Sequence, residues 1–438
     1  MINLKIIMLF FITAWTVCYN NSIMIDFLPR QTLSLFPQSF LFRLIEILFI
    51  TLLFIYTLAL KFNSRNMTLS IIFLLFIMTL GLVPLFNLEY LYFNIMSIFF
   101  LISPIFIYYI LSQMNIQLRD VYFVVKFYFT YIIINVLVVI ILSIPKFGNH
   151  PDFLMGLFSD AHVFGTFLSI CSIYYYKRFQ LYGKYTNILL SLFFLVFSFF
   201  PSNEKIILLN IMIILSMTLL QFKDRIKLSI KFLSFGSVLI VFIIVINNFS
   251  FFINSLPFPV RVLDLLDYMD YMDFGFIKSW GILYDHLFSN IFSSFFGLGG
   301  GNYASIGAER AADAGLENLM TRVFDKELGG MNSAFLLRYN NLTCTIAEYG
   351  IFGTLLFIYI LNLILLKIIK YKKYINISSK EKLLMSLFIS SLSIVLFTDI
   401  FTTKGWTMSI LLYPLMIIPA YCYNRIRFIE DNKFYLSN

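Results

Sequence analysis

Residues 191–200 read SLFFLVFSFF, and residues 73–82 read FLLFIMTLGL. A transmembrane β-strand alternates apolar and polar side chains over about ten positions, and neither run does so. Both are the uniformly apolar stretches of helices built for hydrocarbon, where about 20 such residues span the bilayer. Scanning outward from them finds about twelve comparable stretches, with approximate cores at 4–19, 40–60, 68–86, 93–112, 121–144, 161–176, 186–202, 205–222, 228–246, 341–366, 383–399 and 405–424. The composition agrees. Hydrophobic residues make up 60% of the 438 and charged residues 13%, against roughly 45–50% and about 25% in soluble domains. Such a chain has too little polar surface to be a soluble enzyme and too much apolar surface to stay disordered. The fold class is therefore an all-α polytopic integral membrane protein, with most of the 53 Phe filling a bundle.

The net charge of +9 is read by position, because Lys and Arg near span ends set orientation. With the N-terminus inside, the inner gaps collect Lys5, Lys61, Arg65, Arg119, Lys177, Arg178, Lys184, Lys223, Arg225, Lys227, Lys231, the six lysines from Lys367 to Lys382, and Arg425, Arg427 and Lys433. The short outer gaps hold only Arg30, Lys146, Lys205 and Lys404. Both termini are thus expected in the cytoplasm, and the charge does not point to nucleic acid as a partner. Residues 4–19 also resemble a signal peptide, without a small-residue cleavage site after them. The four cysteines, Cys18, Cys171, Cys344 and Cys422, are far apart and offer neither a disulfide framework nor metal-ligand spacing.

One gap differs from all others. Residues 247–340 separate spans nine and ten on the outer side, and loops beyond roughly 15 residues are usually functional. The expected organisation is a membrane bundle of about nine helices at 1–246, the large extracytoplasmic loop at 247–340, and about three helices with a cytoplasmic tail at 341–438. The segment VRVLDLLDYMDYMDFGFIKSWGILYDHLF within the loop reads as short amphipathic helices lying on the membrane. All three histidines, His150, His162 and His286, map to the outer side, so any chemistry is expected there.

The loop carries Arg261, Arg310, Arg322 and Arg338. A guanidinium presents a planar fork of donors suited to phosphate and pyrophosphate and stays protonated at any working pH. The alternative for each is pairing with the loop's own acids or with lipid headgroups. Where the loop ends, the chain reads RYNNLTCTIAEYGIFGTLLFIYIL from Arg338. Glu348 lies about eight residues into this span, and a carboxylate at that depth needs a wet cavity or a cationic partner. Gly350 and Gly353 would let a neighbouring helix or lipid chain approach closely. The stretch FFGLGGGNYASIGAE, from Phe295, reads either as a hinge or as a nest of amides for an anion. It is not a dinucleotide fingerprint, since no strand precedes it. Asp264, Asp267, Asp270 and Asp273 recur every third residue, which on a helix places the first and last on opposite faces, so they cannot converge on a metal. In the tight turn PSNEK, Lys205 reads as a phosphate contact or as the partner of Glu204. His162 and His286 are candidate bases near neutral pH.

Together these pieces resemble the O-antigen polymerase and O-antigen ligase superfamily of bacterial inner membranes. The resemblance rests on about twelve helices, a dominant late outer loop, its FGLGGG stretch, and the spacing Tyr339, Asn340, nine residues, Gly350, two residues, Gly353 with Glu348 inside it. Ligases of that superfamily have His where this chain has Tyr339, which favours a polymerase. SNEK resembles the family's Ser and Arg turn, with Lys205 in the Arg position. The resemblance implies an enzyme that joins undecaprenyl-pyrophosphate-linked oligosaccharide repeat units into O-antigen or capsular polysaccharide at the outer face of the inner membrane. It implies no cofactor and no metal, with a chain-length regulator and a flippase as working partners. The substrate contacts it implies are Arg338, Arg261, Arg310, Arg322, Lys205, Tyr339 and Asn340, and the candidate bases are Glu348, His162 and His286 in that order. The competing readings are an O-antigen ligase, which Tyr339 disfavours, and a lipid-linked oligosaccharide flippase. Flippases are commonly built from repeated halves, and no internal repeat is visible here.

Overall fold

The computed structural model describes residues 4–20, 48, 51, 71–72, 98, 102–143, 161–198, 287–288, 290–299, 341–374, 377–401 and 412–436. Every element among them is helical. In chain order they are α1 (Leu4–Asn20), α2 (Ile102–Ser112), α3 (Leu118–Val138, continued by a π-helical turn Val139–Ser143), α4 (Ala161–Tyr182), α5 (Tyr185–Phe197), α6 (Ile291–Phe296), α7 (Asn341–Tyr374), α8 (Ser379–Phe401), α9 (Leu412–Leu415) and α10 (Ile417–Leu436). The expected spans at 40–60, 68–86, 205–222 and 228–246 lie outside the described residues apart from isolated positions, as do the boundaries at 246 and 340 and most of the long loop.

Among the described residues, two helices are long and apolar enough to cross a membrane: Leu118–Ile141, with 24 residues, and Thr345–Lys372, with 28. At 1.5 Å per residue they reach about 36 and about 42 Å, more than the roughly 30 Å of hydrocarbon. Their surfaces are compatible with a helical membrane protein. Phe123, Ile134, Leu137 and Ile141 on α3, and Leu355, Ile358, Leu366 and Ile369 on α7, are exposed. Water would penalise so many exposed apolar side chains on neighbouring turns, whereas lipid would not. By contrast α2 is buried on every side from Ile102 to Ser112, so it lies inside the bundle.

Local chemistry sets how the helices join. Gly183, at φ 66°, turns α4 into α5, and its N–H donates to the Phe179 carbonyl at 2.7 Å. The resulting hairpin is fastened midway by two serines. Ser172 Oγ donates to the Ser191 carbonyl at 2.9 Å, and Ser191 Oγ donates to the Ser172 carbonyl at 2.8 Å. Small residues bring the two backbones close, and the reciprocal bonds satisfy both hydroxyls where water is absent.

The described termini and several polar helix ends gather at one end of the bundle. Lys5 of α1 pairs with Asp120 and donates to the Asn115 carbonyl at 3.1 Å. Asp120 also accepts the Gln117 N–H at 2.8 Å, capping α3. Asn424 of α10 donates to the Met114 carbonyl. At the start of α8, Ser378 and Glu381 form a reciprocal capping box. The other oxygen of Glu381 accepts Tyr371 Oη of α7 at 2.6 Å and Tyr421 Oη of α10 at 2.7 Å. One carboxylate therefore ties three helices. Burial disfavours its charged form, but the hydroxyls of Tyr371, Tyr421 and Ser378 outweigh that and hold it below the usual carboxylate range.

One boundary departs from expectation. The helix that holds the end of the span expected at 405–424 continues to Leu436. The sequence RIRFIEDNKFYL keeps helical periodicity, and Lys370 of α7 holds Glu430 at 2.6 Å.

Two outcomes are expected. In a double-mutant cycle on detergent-solubilised protein, Ser172→Ala and Ser191→Ala should couple by about 1 kcal/mol, the scale of interhelical hydrogen bonds in membranes; additive losses would show that the serines do not act as a pair. Glu381→Gln should lower the melting temperature at pH 7. Since the folded-state pKa is depressed, this difference should persist above the ordinary carboxylate value of about 4.3 and shrink as pH falls through the folded value. Melting curves at pH 7 and pH 4 check it.

Candidate functional site

The helix α7 is broken. Gly350 has φ 67° and ψ −176°, so the residues before it and those from Ile351 onward form two helical pieces. A break exposes the last carbonyls of the first piece, and in an apolar setting those carbonyls need donors. The donors come from the glycine-rich stretch about 50 residues earlier: the Leu298 N–H reaches the Ala347 carbonyl at 2.7 Å, and the Gly299 N–H reaches the Glu348 carbonyl at 3.1 Å. These two amides of the glycine-rich stretch are taken by the helix end.

Glycine is required on both sides of this junction. A Cβ on Gly297, whose φ is 83°, would overlap the backbone of Glu348 and Tyr349. A Cβ on Gly350 would overlap the Phe295 carbonyl and would lie 2.6 Å from the Gly297 nitrogen. Two backbones thus meet face to face with no side chain between them. Gly350 does allow close approach, and the backbone that meets it is the end of α6 at Phe295 together with Gly297.

The approach is guided by α6. Asn290 caps it, accepting the Phe292 N–H at 2.9 Å. Ser293 and Ser294 donate back to the Leu287 carbonyl at 2.8 and 3.1 Å. The Phe295 ring then stacks on Phe352, just past the break, with centroids 4.7 Å apart. Asn290, Phe295 and Phe352 were not singled out from the sequence. The signal available was Asn followed by IFSSFF, a helix start next to an aromatic run; nothing linear connected it to position 352.

Among the predicted site residues, Glu348 is fully buried and stands at this junction, two residues before the break. Thr354 closes the far side, its hydroxyl donating to the Gly350 carbonyl at 2.8 Å. His162 is the second residue of α4. His286, Arg261, Arg310, Arg322, Arg338, Lys205, Tyr339 and Asn340 lie outside the described residues. Leu287, directly after His286, is fully buried beside α6. The structure therefore brings together Phe296–Gly299 and Ala347–Gly350, parts of the two glycine motifs that the sequence presents separately.

With this geometry in view, comparison with known proteins adds no relative: no family model matches the chain, and no curated protein matches it.

Gly297→Ala and Gly350→Ala should each cost about 2–4 kcal/mol, combining a left-handed backbone with overpacking. Gly183→Ala, which has open space around its Cβ, should cost only about 1–2 kcal/mol. Because the first two substitutions disturb one contact, their losses should be less than additive. Chemical denaturation of the three single variants and the Gly297/Gly350 double variant measures this.

Proposed function

We propose that the chain is a membrane glycosyltransferase that joins undecaprenyl-pyrophosphate-linked oligosaccharide repeat units into a surface polysaccharide on the outer side of the cytoplasmic membrane. The observation that carries this reading is the junction of Gly297–Gly299 with Ala347–Gly350. Parts of two motifs that contribute to the resemblance to O-antigen polymerases, Phe296–Gly299 and Ala347–Gly350, meet backbone to backbone, and Glu348 of the exit motif is buried where they meet.

The chemistry suits an outward site. The lipid pyrophosphate is itself the leaving group, so no nucleotide sugar is needed outside the cell. In this reading Arg338, Arg261, Arg310, Arg322 and Lys205 neutralise charge developing on the departing pyrophosphate, while Glu348, or failing that His162 or His286, takes the proton from the acceptor's attacking hydroxyl. Tyr339 and Asn340 sit in the same motif as substrate contacts.

The orientation is supported by where charge gathers. Lys5, Arg119, Lys177, Lys370 and Arg425, each from a gap assigned to the cytoplasm, belong to the polar end described above or adjoin it. The second piece of α7 runs 19 positions from Ile351 to Lys370, about 29 Å along a helix, a length that suits Glu348 and Lys370 lying toward opposite sides of a bilayer.

A deletion strain should display single repeat units on its outer surface and no polymer ladder. Loss of all outward display would favour a flippase instead, and unattached full-length polymer would favour a ligase. In the complemented strain, Arg338→Ala and Arg322→Ala should abolish the ladder with membrane levels of the protein unchanged; a full ladder from both would remove these residues from the site. A reporter fused after Ser305 should read as extracytoplasmic.

A further inference from the structure

The piece of α7 that follows Gly350 presents two unlike faces. Ile360, Ile364, Ile368 and Tyr371 are buried, and α7 packs there on α8 and α10. Leu355, Ile358, Tyr359, Leu366 and Ile369 are exposed on the other side. Hydrocarbon side chains facing lipid identify no partner by themselves. The residue at the middle of that exposed face is not a hydrocarbon. Asn362 is exposed between Tyr359 and Leu366, inside the run TLLFIYILNLILLK, and its side-chain amide has no hydrogen-bond partner among the described residues.

The depth of Asn362 makes this costly. It stands 11 positions after Ile351 and 8 before Lys370, about 16 and about 12 Å along a helix. Lys370 belongs to the polar end, where it holds Glu430 at 2.6 Å. The amide therefore lies within the apolar layer, where lipid tails offer it neither donor nor acceptor. A primary amide carries two N–H donors and a carbonyl acceptor, so a second asparagine amide complements it on both counts. The spacing fits such a partner. Leu355, Asn362 and Ile369 are seven residues apart, with Ile358 and Leu365 between them, which is the alternating four-and-three repeat of a helix seam. One asparagine at the first position of such a repeat fixes the register of two parallel helices. Two copies inserted in one membrane share an orientation, so a two-fold axis along the membrane normal sets their α7 helices parallel and Asn362 opposite Asn362. Lys372, the next position of the repeat, is exposed beyond the apolar run, where water and salt screen it from its mate.

We propose that this face of α7 is the interface of a homodimer, in which a second copy of the chain pairs its own Asn362 with this one across a two-fold axis. The dimer requires a membrane but goes beyond the glycosyltransferase reading and does not rest on it. Both copies then carry their Glu348 junctions at the same end of one shared seam.

The test uses the full-length protein, carrying donor or acceptor fluorophores at its C-terminus, in phosphatidylcholine vesicles over a range of protein-to-lipid ratios. Energy transfer should report a dimer that dissociates on dilution in lipid. Asn362→Leu, which makes the exposed face wholly apolar at that level, should weaken association about tenfold, equivalent to about 1.4 kcal/mol. Asn362→Gln, which keeps the amide, should retain most of the affinity. In native membranes, Leu355→Cys and Ile358→Cys should form a cross-linked dimer on mild oxidation, above the background of the native cysteines. Leu189→Cys, exposed on α5, should not. This second measurement keeps Asn362 intact, so it decides the matter even if the Asn362 variants fold poorly. The proposal is overturned if the wild type is monomeric at every ratio, if Asn362→Leu associates as tightly as the wild type, or if Leu189→Cys cross-links as readily as the α7 positions. Cross-linking of Leu355→Cys only to a chain of different mass would assign the face to another membrane protein and overturn it as well.

Discussion

The carbonyls of Ala347 and Glu348 would have no donors where helix α7 stops at Gly350, were it not for the amides of Leu298 and Gly299. In an apolar environment an unsatisfied backbone group costs several kcal/mol, so a helix can break there only where protein supplies the missing partners. This requirement explains the glycines on both sides. A side chain at Gly297 or Gly350 would hold the two backbones too far apart for those hydrogen bonds to form. It also explains why α6 is capped, folded back onto Leu287, and stacked through Phe295 on Phe352. Each of these contacts places the donor amides, and the buried Glu348 lies where they meet.

The two ends of the described bundle solve opposite problems. At the junction, the Glu348 side chain is taken wholly out of solvent beside a glycine-lined contact. At the other end, Glu381 is only partly withdrawn from water and is surrounded by hydroxyl donors from α7, α8 and α10. Those donors favour its ionised form, and its role there is to join helices. Between the ends the chain relies on apolar contact and on small polar devices such as the Ser172–Ser191 pair, because burying hydrocarbon against hydrocarbon gives no net drive inside a lipid phase.

Much of the helical layout was legible along the chain. The stretch expected at 4–19 is α1 at Leu4–Asn20, that at 121–144 is α3 with its π-helical extension, and that at 383–399 lies within α8 at Ser379–Phe401. Length and uniform apolarity decide such segments almost alone, because lipid leaves the backbone no partner other than itself. Less of the site could be read. Glu348 stood out because a charge at that depth is costly, and Gly350 stood out because of its spacing to Gly353. Nothing in the linear pattern stated that Gly350 ends a helix, since an isolated glycine inside an apolar run is equally compatible with a continuous one. The helical course of α10 to Leu436 was likewise hidden, as its charged residues resemble a solvated tail until Lys370 and Asn424 are seen to dock it.

By itself, then, the amino-acid sequence determined that this is a helical chain suited to a membrane, with its basic residues biased to one set of loops, since both properties follow from residue-by-residue transfer between water and lipid. Tertiary structure alone decided that Phe296–Gly299 and Ala347–Gly350 are one contact and that Glu381 binds two tyrosines from different helices. These are pairings between residues tens of positions apart, and they depend on which backbone amide meets which carbonyl and which hydroxyl meets which carboxylate. Hydropathy carries no information about that choice; only the packed chain, with its buried polar groups satisfied, makes it.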